Sequence, residues 1–138
     1  MTASLVAATP EAERALGNRR EVRVTDFPFR VGRENRAAAV PRTTLTELRL
    51  GTKPEINDLY LIEPSWIDLV QISREHFAIE HIDNKCFLVD CGSVCGTTVA
   101  GKRVGGNGTG GRTELRSGDL VVVGSESSEY VFRFEVAT

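Results

Sequence analysis

Four short apolar runs follow one another at residues 59–62, 67–72, 77–82 and 87–90, each ended by polar residues. Runs this short, rich in β-branched and aromatic residues, suit strands and leave too little length for helices. The interruptions are Glu63-Pro64-Ser65, Ser73-Arg74-Glu75, Asp83-Asn84-Lys85 and Gly92-Ser93. Asp83-Asn84 reads as a tight hairpin, because both residues tolerate positive φ and bond their own backbone. Upstream, Val22 and Val24 alternate with Arg23 and Thr25, so a half-buried strand starts at Glu21, and Phe27-Pro28-Phe29 bends the chain before the next one at 29–31. Downstream, residues 120–123 and 130–136 supply the last strands, with Phe132, Phe134 and Val136 on one face and Val131, Arg133 and Glu135 on the other. Many short strands and few helical stretches predict an all-β sandwich.

With 138 residues, 41% hydrophobic and 26% charged, the chain has the makings of one ordinary core. A net charge of -2 gives no reason to expect nucleic acid or a membrane as partner, so any anion site has to be local. The apolar stretch within residues 1–10 is too brief to span a bilayer and follows no basic residue, so export is not expected. Cys86, Cys91 and Cys95 resemble no secreted disulfide framework, and a reducing cytoplasm fits them. Without a closely spaced Cys-x-x-Cys pair, they imply no metal.

Three segments lie outside this strand pattern. Residues 1–19 form an N-terminal extension with two open readings: a helical turn or two capped by Thr9 with Pro10 in first position, or a frayed terminus. The domain itself is then 20–138. Residues 34–56 read as an insertion with a turn of helix around 44–50. Residues 105–111, Gly-Gly-Asn-Gly-Thr-Gly-Gly, read as a mobile linker, and they lack the Gly-Lys-Ser/Thr ending of a nucleotide loop, so no cofactor is expected.

The chemistry is concentrated in three polar islands between the strands: Gly32-Arg33, Ser73-Arg74-Glu75-His76, and the stretch Asp90-Cys91-Gly92-Ser93-Val94-Cys95-Gly96-Thr97. Two guanidiniums, a hydroxyl and a glycine-containing loop are the groups that hold a phosphate through charge-assisted hydrogen bonds.

In order and spacing these islands resemble the forkhead-associated (FHA) domain over roughly residues 21 to 136. The resemblance implies a β-sandwich of two packed, mainly antiparallel sheets that binds phosphothreonine peptides and is not an enzyme. Arg33, Ser73 and Arg74 are then the phosphate-binding residues. Val94, Cys95, Gly96, Thr97 and Lys102 are expected to contact the peptide. Gly32, His76 and Ser93 support the loops, His76 by bracing the binding loop. The implied partner is a threonine-phosphorylated protein or peptide, in a pathway with a Ser/Thr kinase.

The third island departs from the family string Asp-x-x-Ser-x-Asn-Gly-Thr. Cys95 stands where the family has the asparagine that bonds the peptide backbone, Val94 where threonine is common, and Ala100 where an asparagine often follows. A thiol is a poor substitute for an amide, and one such hydrogen bond is worth about 1 to 3 kcal/mol. A scaffold that keeps the fold but docks partners without phosphate is therefore the alternative function. An enzyme acting on small phosphorylated substrates is a third, and the motifs supply no general base or metal set for it.

Overall fold

The structure, a computed structural model, describes residues 1–34, 57–64 and 70–137. Among these residues eleven strands form two sheets: β1 (Thr2–Ala7), β2 (Glu21–Val24), β3 (Phe29–Arg33), β4 (Leu59–Leu61), β5 (Phe77–Ile82), β6 (Lys85–Asp90), β7 (Thr97–Val99), β8 (Lys102–Gly105), β9 (Gly111–Leu115), β10 (Leu120–Val123) and β11 (Val131–Ala137). The six-stranded sheet runs β2-β1-β11-β10-β7-β8 and the five-stranded sheet β4-β3-β5-β6-β9. Pairing is antiparallel apart from β3 with β4, which run parallel, with Val31 opposite Leu59 and Arg33 opposite Leu61. The expected sandwich of two mainly antiparallel sheets is the one observed.

Alternation puts one face of each sheet inward. Phe29, Val31, Leu59, Leu61, Phe77, Ile79 and Leu88 come from the five-stranded sheet, and Leu5, Val99, Val121, Val123, Phe132 and Phe134 from the other; all are buried. Each buried phenylalanine contributes about 3 kcal/mol, so Phe132 and Phe134 on the long strand β11 anchor the core. The β5–β6 hairpin turns at Asp83 (φ +52°) and Asn84 (φ +63°), the positive-φ pair read from the sequence.

Three expectations need correction. The sandwich does not begin at Glu21: β1 lies inside the six-stranded sheet, between β2 and β11, with Ala3 and Leu5 in the core and Thr2 opposite Ala137. Only the following turn is helical. In α1 (Pro10–Ala15), Thr9 accepts from the Ala12 N–H (3.1 Å), Pro10 sits in the first turn, and Ala12 and Ala15 are buried. Among the described residues of the run at 67–72, residues 70–72 are not strand but the approach to a loop. Residues 105–111 form an ordered crossover between β8 and β9 and thus between the sheets, with Gly106 bridged to Thr109. The segment at 44–50 lies outside the described residues.

Candidate phosphate-binding apex

Arg33 ends β3 beside the loop that carries Ser73. The Arg33 N–H donates to the Ser73 carbonyl (3.0 Å), and its Nη1 donates to the carbonyl of Ile72 (3.2 Å). The chain can come this close because residue 32 is glycine: a Cβ there would lie 1.8 Å from the Arg74 carbonyl oxygen. That oxygen also accepts from Asn57 Nδ2 at 2.6 Å. Arg33 is half-buried, Ser73 half-buried and Arg74 exposed, so the first two islands meet at one end of the sandwich with the Arg74 side chain open to solvent.

Beneath this junction sits a buried carboxylate that the sequence did not flag. Glu63 follows β4 and is 2% exposed; its two oxygens accept from the Gln71 N–H (2.8 Å) and the Ile72 N–H (3.2 Å). A carboxylate on two successive backbone N–H groups fixes the chain just ahead of Ser73. On the other side, the fully buried His76 accepts from the Ser73 N–H at Nδ1 (3.0 Å) and donates from Nε2 to the Gly96 carbonyl (2.7 Å). Those two bonds require the neutral Nε2–H tautomer, and burial lowers the imidazole pKa, which favours that state. His76 therefore ties the second island to the third.

The third island is organised around Asp90, which is buried at the end of β6. One carboxylate oxygen accepts from the Gly92 and Ser93 N–H groups (2.9 and 2.8 Å), the other from the hydroxyls of Ser93 (2.6 Å) and Thr97 (2.7 Å). Ser93 Oγ in turn accepts from the Gly96 N–H at 3.0 Å. The loop is joined to Ser73 through the Val94 N–H, which donates to Ser73 Oγ (3.1 Å) and leaves the serine proton to donate outward. The Asn107 N–H donates to the Val94 carbonyl (2.8 Å) and the Gly108 N–H to the Ser93 carbonyl (3.0 Å), so the glycine-rich crossover buttresses this loop.

The residues expected to touch a peptide are thus sorted by the fold. Val94 is 67% exposed, and Cys95 is half-buried, with Sγ donating to the Val70 carbonyl at 3.3 Å. Gly96 and Thr97 are buried, with the Gly96 N–H and the Thr97 hydroxyl spent on the loop's internal bonds. Lys102 lies opposite Val99, at the end of the β7–β8 hairpin away from Gly96, so it is not brought to the apex either. Its neighbour Arg103 is: Nη2 donates to the Cys95 carbonyl at 2.8 Å. Ser93 and His76 join backbone segments of the second and third islands through these bonds. Arg103, Glu63 and Asn57 were missed because each acts on backbone atoms of a distant segment, a contact with no local motif.

Comparison with known proteins agrees with this architecture. No curated protein matches the chain by sequence. Among solved structures, the FHA domain of CT664 from Chlamydia trachomatis is similar over 100% of both chains at 17% identity and a TM-score of 0.58. The N-terminal FHA domain of Saccharomyces cerevisiae Rad53p, in complex with a phosphothreonine peptide, aligns over 99% of this chain and 94% of that one at 16% identity and a TM-score of 0.58. Mycobacterium tuberculosis EmbR, in complex with a low-affinity phosphopeptide, aligns over 99% of this chain at 17% identity and a TM-score of 0.59, and the chain spans 25% of EmbR's length. The model of the FHA domain family matches residues 48–124, more than half of the sequence, and the chain belongs to the FHA domain family.

Proposed function

We propose that this domain binds a threonine-phosphorylated segment of a partner protein, the phosphate held by Arg33, Ser73 and Arg74. The observation that carries this reading is the Arg33 N–H bond to the Ser73 carbonyl, which makes donors 40 residues apart in sequence neighbours at one apex. Two guanidiniums and a hydroxyl on adjoining loops suit a doubly charged, multi-acceptor ligand. Family membership and the phosphopeptide complexes of two structural neighbours support it. The domain acts as a recruitment module in Ser/Thr kinase signalling, in the cytoplasm, rather than as an enzyme. The thiols fit that role: burial, aided by Asp90 and Glu75, pushes the Cys91 pKa up, and burial does the same for Cys86, so neither is an activated nucleophile. Among the described residues no helix is long and apolar enough to cross a membrane.

Calorimetry with a phosphothreonine peptide selected from an oriented library tests this. The phosphorylated peptide should bind and its unphosphorylated twin should not, Arg33→Ala or Arg74→Ala should abolish most of the affinity, and Lys102→Ala should have a smaller effect. Phosphothreonine should be preferred over phosphoserine, since a buried methyl is worth about 1 kcal/mol. The second reading, a phosphate-independent scaffold, is favoured by Cys95, whose thiol is directed at Val70 and provides no amide for a peptide backbone. Equal affinity for both forms of the peptide would select it.

A further inference from the structure

An edge strand leaves backbone donors and acceptors open to another chain unless something covers them. Among the described residues the edges are β2 and β8 in one sheet and β4 and β9 in the other. β8 and β9 are closed against each other by the crossover, so tightly that a side chain at Gly111 would strike the Val104 carbonyl. β4 is only three residues long. β2 has four, and its outer side meets no strand among the described residues.

Which groups of β2 point outward follows from its pairing with β1. The Ala7 N–H donates to the Arg20 carbonyl (2.8 Å), and the register continues with Val6 opposite Glu21, Leu5 opposite Val22, Ser4 opposite Arg23 and Ala3 opposite Val24. Bonded pairs alternate along an antiparallel ladder, so Arg20, Val22 and Val24 spend their backbone on β1, while the N–H and C=O of Glu21 and Arg23 face away from it. The side chains of Glu21 and Arg23 share the outer face of the sheet; both are exposed, and neither has an ion-pair partner among the described residues. Val22 lies on the core side, half-buried at the rim of the core.

We propose that β2 is a self-pairing edge whose occupant is a second copy of this chain, joined β2 to β2 in antiparallel about a two-fold axis at Val22. That register sets Glu21 of each copy opposite Arg23 of the other. These are the residues with open backbone groups, so the inter-chain N–H···O=C bonds and the opposite-charge pairs form together. Val22 meets its own counterpart in the close, non-hydrogen-bonded position, which covers its half-exposed side chain. An axis at Arg23 would put that residue against itself, and an axis at Val24 would set Glu21 opposite Phe27, beyond the end of the strand. Charges usually guard an edge against pairing, but here the two signs are placed so that the strand complements its own reverse. The two six-stranded sheets then run on as one, and Arg33, Ser73 and Arg74, which belong to the other sheet and its loops, take no part.

So short an edge makes a weak, transient dimer, and sedimentation equilibrium on the full chain, carried to about 1 mM, is the measurement that suits it. The unaltered protein should show a monomer–dimer equilibrium. Glu21→Arg or Arg23→Glu alone, at exposed positions whose backbone lies outside the β1 ladder, should weaken it roughly tenfold, because the symmetry sets like charges across both pairs at once. Glu21→Arg combined with Arg23→Glu in one chain should restore it. An equimolar mixture of the two single variants should do the same, since every pair across the edge is then opposite again; misfolded copies would not recover on mixing. A monomer at every concentration overturns the proposal, as does a dimer that both single reversals leave intact. Loss in the single variants without recovery in the combined variant or in the mixture overturns it as well.

Discussion

At Cys95 a weak side-chain donor stands in a closely held loop. Its loop is held by Asp90, Ser93 and Arg103, yet its side chain spends its single weak donor on the Val70 carbonyl. Asparagine has a donor for that carbonyl and an acceptor to spare for a peptide N–H. Cys95→Asn should therefore tighten phosphopeptide binding several-fold by calorimetry, the equivalent of about 0.5 to 1.5 kcal/mol, with little change in melting temperature. An unchanged affinity would show that the peptide backbone is held elsewhere. His76 gives a second prediction. Burial lowers its folded-state pKa below the ordinary 6.5, so the unfolded chain takes up a proton first as pH falls. The stability gained from the neutral ring is complete above about 6.5 and is lost as pH drops from there through the folded-state pKa. Urea midpoints measured from pH 7.5 to pH 5 should decline, and His76→Gln should flatten that part of the slope. Much of the apex was legible at this scale, because Arg33, Ser73, Arg74, His76 and Ser93 lie in short polar islands between apolar runs. Glu63 was not, since a carboxylate after a strand looks like any surface acid until its two N–H partners at Gln71 and Ile72 are known.

Among the elements, those whose signals were local were read correctly. The β5–β6 hairpin is announced by Asp83-Asn84, and β11 by strict alternation of its phenylalanines. Strand β1 was hidden because its inward residues include the small Ala3, which weakens the apolar period, and because a capped helix follows at once. The glycine-rich crossover misled for a different reason: composition reports the entropy of the free chain, whereas its order comes from tertiary contacts. Those contacts are close. A Cβ at Gly111 would fall 1.7 Å from the Val104 carbonyl oxygen, where β8 and β9 pass each other. Gly111→Ala should thus push the crossover away from its seat and cost about 1 to 3 kcal/mol in urea unfolding. Because Asn107 and Gly108 hold the backbone of Val94 and Ser93, the same substitution should also broaden or shift the amide resonances of residues 93–96. Unmoved resonances would show that the crossover does not support the loop.

For the whole molecule, the match at residues 48–124 covers less than what folds. It omits β1, β2 and β3 on one side and β11 on the other, so the six-stranded sheet would keep only β10, β7 and β8. It also lacks Phe29, Val31, Phe132 and Phe134 from the core, and Arg33 from the apex. A protein of residues 48–124 should show no cooperative thermal transition by circular dichroism, while residues 1–138 should show one. In the full chain, Leu5→Ala should cost about 2 to 5 kcal/mol, as a fully buried core leucine does; a loss near zero would mean that β1 is dispensable. The pairing of Thr2 with Ala137 has a mechanical side as well. Strand β10 climbs towards Gly96 and β11 descends from it, so both ends of the chain are gathered at the pole remote from Arg33 and Ser73. Any tether fixed at Thr2 or Ala137 hangs from that pole like a single stalk, and a domain swivelling on it sweeps the loops that carry Arg33 and Ser73 through open solvent.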